Sequence, residues 1–224
     1  MRPINYSKLM RVINTDPQNG PSFFFSCLLP EWLRFFAGKE KEGTILFVDM
    51  SGSVWNKLYD ESAIWSVNIC TLHHRAGKII RLCRGRISKT IGDCVMAYFL
   101  GERHREDACL CAISLLETFF LLKRNYDMDG DSTMFRFPIT IGVASGPLLF
   151  LKMKDPYGLA VDLAARLQGF AAPGEIVMFK NSYKIESEEI VHLTKAYQGK
   201  SEVLDVKTFG EVDVIRIATP NNNT

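Results

Sequence analysis

Four places in the sequence combine residue types and spacings suited to phosphate and metal chemistry. In FVDMSGS, Asp49 follows a short apolar run and precedes a glycine-containing turn. A carboxylate at the end of a buried strand is well placed to hold a divalent cation, and turn N–H groups at Ser51, Gly52 and Ser53 can face phosphate oxygens. In Lys89-Thr90-Ile91-Gly92-Asp93 a second carboxylate sits at the tip of an expected hairpin, with Gly92 permitting a tight backbone. If neighbouring strands bring Asp49 and Asp93 together, two buried carboxylates repel, and shared divalent cations remove that cost. In the segment running from Asp155 to Leu167, Asp162 and Arg166 are four apart and share a helix face. An exposed ion pair there contributes only ~0.3–0.5 kcal/mol, whereas an arginine clamping a phosphoryl group acts on the reaction itself. Lys207, in the last hairpin, is either a further phosphate contact or a solvated lysine.

The elements that must position these groups follow from periodicity. Thr44 to Val48 reads as a strand buried on both faces. Ile64 to Arg75 has helical spacing. Ile79 to Arg81 and Ser88 to Ile91 flank a glycine-containing turn and, with Cys94 to Leu100, read as strands of a hairpin. Arg105 to Lys123 carries a clear apolar stripe and reads as a helix. Phe137 to Val143 is expected as a strand, Leu159 to Phe170 as a helix, Glu175 to Phe179 as a strand, and Glu202 to Ile217 as two strands meeting near Gly210. Pro30 to Phe36 reads as a short helix with an aromatic face. Strands and helices alternate without repeats, predicting an α+β or α/β sandwich around one core.

Composition narrows the class. In 224 residues, 27 Lys and Arg stand against 25 Asp and Glu, which argues against a dedicated nucleic-acid binder. The six cysteines form no CxxC pair and no zinc set with histidine. They read as reduced thiols of a reducing compartment, predicting a cytoplasmic protein. No apolar run is long enough to span a bilayer, and no signal-peptide pattern opens the chain, so the protein is expected not to be membrane-embedded. Asp127, Asp129 and Asp131 lack the rest of a calcium loop and read as a solvated acidic turn. His73 and His74, near an expected helix end, receive no role.

ILFVDMSG, SKTIGDCVMAYF, FPITIGVASGPL and YGLAVDLAARLQGFAAPGEIVM occur in the order found in class III nucleotidyl cyclases, which this sequence resembles over roughly residues 43–217. The resemblance implies an α+β fold with a ferredoxin-like βαββαβ core, here following a short helical N-terminal extension (1–42) and followed by a frayed tail (218–224). It implies a homodimer with active sites at the interface, and two divalent ions, Mg²⁺ or Mn²⁺, held by Asp49, Asp93 and the main-chain carbonyl of Met50. Arg166 corresponds to the arginine that stabilises the pentavalent phosphorus transition state. Lys89 and Asp155 correspond to the base-reading pair of adenylate cyclases, supplied by the partner subunit, and Lys207 lies close to a phosphate-binding lysine. The implied reaction turns a nucleoside triphosphate into a 3′,5′-cyclic monophosphate and pyrophosphate, with the 3′-hydroxyl activated at the metals and no covalent intermediate.

Three departures from the family pattern concern the nucleoside side. Ser53 follows Gly52 where an aromatic residue is usual, Asp162 replaces the ribose-orienting asparagine, and Pro156 follows Asp155. A lysine donor beside a carboxylate acceptor suits adenine (N1 and N6) and also uracil (O4 and N3–H). The layout, a short leading segment and one cyclase domain, is similar to the stand-alone pyrimidine cyclases of bacterial Pycsar anti-phage defence, whose product is read by a separate effector. The favoured expectation is therefore UTP converted to cyclic UMP. An adenylate cyclase is the alternative, and an inactive nucleotide-binding homologue the third reading.

Overall fold

The computed structural model describes residues 40–52, 62–129, 135–150, 155–184, 197 and 199–219. Strand β1 (Glu40–Met50) is followed by helix α1 (Ser62–Leu82), β2 (Arg86–Ile91), β3 (Cys94–Leu100), helix α2 (His104–Asp129) and β4 (Ile139–Phe150). Then come the short β5 (Pro156–Tyr157), helix α3 (Leu159–Phe170), β6 (Glu175–Phe179), β7 (Lys200–Val206) and β8 (Gly210–Ala218). The first six elements are the expected βαββαβ unit. Residues 1–39 of the N-terminal extension, with its helix at Pro30 to Phe36, lie outside the described residues, while its last three residues, 40–42, open β1. Of the expected tail, Ala218 ends β8 and Thr219 is buried, and residues 220–224 lie outside the described residues.

The eight-stranded sheet runs β2-β3-β1-β4-β6-β8-β7, with β5 paired to the end of β4. β1 is antiparallel to both neighbours, with Val48 opposite Val95 and Asp49 opposite Thr140. β4 and β6 are parallel, and β7 and β8 close the other edge as an antiparallel hairpin. The central strands are buried on both faces, because two apolar layers flank the sheet rather than the single core expected. On one side Leu46, Val48, Val95, Ala97, Ile141 and Val143 pack beneath α1 and α2. On the other, Ile45, Phe47, Met96, Ala144 and Val177 pack beneath Leu163, Ala164 and Leu167 of α3. Each sheet residue thus faces the helix pair or α3 according to the parity of its position.

Ile79 to Arg81 is not a strand but the end of α1; Leu72, Ala76 and Ile80 repeat every four residues and are fully buried, which carries the helix past the Ile79-Ile80 doublet. The hairpin is Arg86–Ile91 with Cys94–Leu100. His73 and His74 consequently lie inside a helix. Asp127 and Asp129 are likewise helical, in the last turn of α2, where Asp127 accepts from Lys123 Nζ at 2.5 Å. Asp131 lies outside the described residues.

Among the described residues, Cys83, Cys109 and Cys111 are buried, Cys94 is partly buried, Cys70 is exposed, and all five are free thiols. No described helix is long and apolar enough to cross a membrane.

Candidate active site

β1 brings Asp49 to the end of the sheet on the α3 side, since it shares parity with Ile45 and Phe47 of that layer. The next residue, Met50, is 2% exposed and points its side chain into the helix-side core, so only its main chain is available here. Ser51 N–H donates to the Pro138 carbonyl at 2.9 Å, anchoring the turn to the start of β4, and Gly52 takes φ 76°. Ser53 lies outside the described residues.

Asp93 occupies the two-residue turn between Ile91 and Cys94, which face each other across the hairpin. Gly92 holds φ 63°, the left-handed value that the first position of a type II′ turn requires. Asp93 is 9% exposed. Val48 opposite Val95 brings Asp49, the next residue of β1, to the end of β3 where Cys94 follows Asp93; burial, and then the charges of Asp49 and Asp93, push the Cys94 thiol up to about 12. Two carboxylates at one strand end, beside a main-chain carbonyl, form a donor set that fits Mg²⁺ or Mn²⁺. Magnesium keeps several waters and is held through one or two carboxylates plus substrate phosphates. Among the described residues no group of three or more His, Cys, Asp or Glu side chains is gathered as a metal site.

Helix α3 lies flush on β4 because Gly142 has no side chain; a Cβ there would sit 2.2 Å from the Ala164 carbonyl oxygen. Leu163, Ala164 and Leu167 face the sheet, which leaves Asp162 and Arg166 exposed. Among the described residues these two form no ion pair with each other, contrary to the helix-stabilising alternative. Arg166 instead lines a hollow of about 300 Å³ together with Lys207, Ala165, Gly169, Phe170 and Val206. The two cations that sequence placed far apart therefore share one concave surface. The small Ala165 and Gly169 keep it open.

Lys89 and Asp155 meet within one chain: Lys89 Nζ donates to Asp155 Oδ2 at 3.2 Å. Ser88, which the sequence did not single out, donates from Oγ to Asp155 Oδ1 at 2.7 Å. The Asp155 carboxyl is held below its ordinary range, first by the Ser88 hydrogen bond and further by Lys89, against the opposing effect of burial.

Gln168 is a second residue missed in sequence. Its Nε2 donates to Thr140 Oγ1 at 2.7 Å and reaches Asp49 Oδ2 at 3.4 Å, tying α3 to the acid-bearing strand. Further along, Arg216 bridges Glu175 and Glu202 and donates to the Phe170 carbonyl at 3.1 Å, fixing the last turn of α3.

No protein-family model matches the sequence, and no curated protein matches it. Solved structures do. The catalytic core of a rhodopsin-guanylyl cyclase with converted specificity, in complex with ATPalphaS, superimposes with a TM-score of 0.66 at 19% identity, covering 81% of this chain and 98% of that one. The adenylyl cyclase CyaB from P. aeruginosa gives 0.66 at 21% identity, covering 83% and 98%. The guanylate cyclase domain of RhGC from Catenaria anguillulae, in complex with GTP, gives 0.64 at 17%, covering 81% and 98%. With the acid pair at one end of the sheet and the two cations on the α3 side, the conclusion for the architecture is direct: this chain has the fold of adenylyl and guanylyl cyclase catalytic domains.

Proposed function

We propose that this chain is a class III nucleotidyl cyclase that converts a nucleoside triphosphate, UTP in the favoured reading, to its 3′,5′-cyclic monophosphate and pyrophosphate. The observation that carries the reading is the placement of Asp49 and Asp93 at one end of β1 and β3, set by the pairing of Val48 with Val95 and by the hairpin turn between Ile91 and Cys94. Asp49, Asp93 and the Met50 carbonyl would hold two divalent ions. Such ions, when bound, supply the charge that lowers the 3′-hydroxyl pKa and neutralises the triphosphate.

The remaining work falls to side chains. Arg166 and Lys207 line the hollow in which phosphate oxygens would be clamped, and a guanidinium fixed there stabilises charge that grows in the transition state. Asp162, one turn before Arg166, occupies the ribose-orienting position. The Ser51-Gly52-Ser53 turn offers main-chain N–H groups to phosphate. Lys89 and Asp155 present a donor beside an ionised acceptor, which suits O4 and N3–H of uracil. The same pair suits N1 and N6 of adenine, so an adenylate cyclase is the second reading, favoured by the intact Lys89–Asp155 contact. In either case a homodimer would place the base-reading pair of one subunit opposite the acids of the other. Cyclic UMP would then serve as a messenger to a separate effector in anti-phage defence.

The test is incubation of the purified protein with Mn²⁺ and ATP, GTP, CTP or UTP separately, with products identified by mass spectrometry. Cyclic UMP alone supports the favoured reading, and cyclic AMP alone replaces it with the second. No cyclic product from any of the four refutes the cyclase assignment. Asp93→Ala should abolish turnover while leaving the melting curve and oligomeric state unchanged, and retained turnover in that variant would remove Asp93 from the site.

A further inference from the structure

Strand β2 carries an extra residue at the base-reading pair. Ile87 is opposite Ala97, but Lys89 is opposite Met96, so Ser88 is a bulge with no cross-strand partner of its own. Directly opposed residues of an antiparallel pair share a face. Ala97 belongs to the layer beneath α1 and α2, and Met96 to the layer beneath α3. The bulge therefore switches the strand's facing between Ile87 and Lys89. In an unbroken register Ser88 would pair with Met96, and Lys89 would stand opposite Val95 and point its ammonium into the fully buried helix-side core. With it, two consecutive residues, Ser88 and Lys89, both reach Asp155, one on each carboxylate oxygen, at 2.7 and 3.2 Å.

A hydroxyl donating to a carboxylate at this distance forms a charge-assisted bond, stronger than a neutral one. It uses the single hydroxyl proton of Ser88, and it holds the carboxylate in one orientation while leaving other lone pairs open. Asp155 is then a fixed acceptor, and Lys89, with two further N–H groups, a donor held beside it. A planar heterocycle offering an N–H next to a carbonyl or ring nitrogen satisfies both. The relative placement of that donor and acceptor differs between bases, so the orientation of Asp155 decides which edge fits.

We propose that Ser88 is a specificity-determining residue of the nucleotide site, a positioning group that orients Asp155 through the β2 bulge and so sets which nucleobase is accepted. The proposal rests on the cyclase reading above. Pro156, immediately after Asp155 and paired with Phe150 of β4, constrains the carboxylate from the main-chain side, so Ser88 and Pro156 hold Asp155 from two directions.

The experiment uses the full chain and its Ser88→Ala and Ser88→Thr variants. Steady-state turnover of each of the four nucleoside triphosphates with Mn²⁺ is measured alongside displacement of a fluorescent N-methylanthraniloyl nucleotide. Ser88→Ala is expected to raise KM for the best base about tenfold with kcat within about twofold, and to shrink its preference over the second base about tenfold, as loss of one charge-assisted bond requires. Ser88→Thr, which keeps the hydroxyl, should restore both. An unchanged base ranking and KM in Ser88→Ala, or a loss confined to kcat, overturns the inference, as does failure of threonine to restore the preference. Absence of turnover with every base in the unmodified protein overturns the cyclase reading instead.

Discussion

Placing a single methyl group at Gly142 should uncouple the two halves of the site. In the structure a Cβ at this position would lie 2.2 Å from the Ala164 carbonyl oxygen, 2.3 Å from the Gln168 nitrogen and 2.7 Å from the Gln168 Cα. All three are helix backbone, which has no rotamer to change. Ordinary contact begins near 3.4 Å, so α3 must withdraw from β4 by roughly 1 Å, and overpacking of this kind costs about 1–3 kcal/mol. For a domain of this size each kcal/mol lowers the melting temperature by roughly 2–4 °C, so Gly142→Ala should melt about 2–12 °C below the unmodified protein. Activity should suffer more than stability. Gln168 leaves Thr140 and Asp49, Arg166 rides on the displaced helix, and misplacement of reacting groups by about 1 Å is worth roughly 10²-fold in rate. The assays are differential scanning fluorimetry and cyclic-nucleotide production at a temperature where both proteins are folded. A Gly142→Ala protein with unchanged melting and turnover would refute the close approach of α3 to β4 and the coupling drawn from it.

Three further outcomes are expected. Arg166→Ala should lower kcat by about 10²–10³-fold, the loss typical of a donor aimed at transition-state charge, whereas Lys207→Ala should act mainly on KM; steady-state kinetics with the preferred nucleotide separates the two. Arg216→Ala should cost about 1–3 kcal/mol, because Glu175 and Glu202 lose a shared guanidinium that is only 21% exposed; a melting temperature within 1 °C of the parent, by the scaling of roughly 2–4 °C per kcal/mol, would contradict this. His104 is buried and bonds Thr44 Oγ1 through Nδ1 at 2.8 Å, and burial, then the charge of Arg105, holds its pKa below the ordinary value of 6.5. Its folded-state pKa is depressed, so its contribution is complete above the unfolded value and is lost as pH falls through the folded one. The melting temperature should therefore drop more steeply from pH 7 to pH 5 in the parent than in His104→Gln, and parallel slopes would show that His104 is not the group protonated.

Where sequence and structure agree, the reason is local. Leu159–Phe170 and Glu175–Phe179 have the expected bounds because a four-residue apolar repeat, then Pro173 and Gly174, mark them without help from the rest of the chain. Asp49 and Asp93 stand at a strand end and in a hairpin turn, as expected, for the same reason: each ends a short apolar strand or opens one. The Ile79-Ile80 pair was misread because, after Gly77, two β-branched residues look like a strand opening. Only burial of Ile80 against the sheet, a tertiary fact, keeps them helical. That the sheet is covered on both sides is legible in the continuous apolar run of Thr44 to Val48; which helices form each layer is not, because such a run looks the same whatever lies above and below it. Ser88 and Gln168 were missed because their roles depend on register and on helix-to-sheet packing, and neither leaves a periodic mark. The sharing of one hollow by Arg166 and Lys207 follows only from where the β7–β8 hairpin stands relative to α3.

The arrangement of strands around β1 also bears on how the molecule comes to exist. β1 is made early in the chain, yet one neighbour is β4, with Glu40 opposite Leu149 and Met50 opposite Ile139. Gln168 and Asp49 meet across 119 residues of sequence. Contacts this distant must close long loops before they return any stabilisation, which slows folding relative to helical proteins of similar size. Until β4 arrives, β1 is an apolar strand with an unsatisfied edge, the kind of segment most prone to pair with the wrong chain. The acid pair itself meets through the β1–β3 pairing, but its tie to α3 through Gln168 spans 119 residues, so a molecule with both halves of the site in place is one whose central strands are already paired.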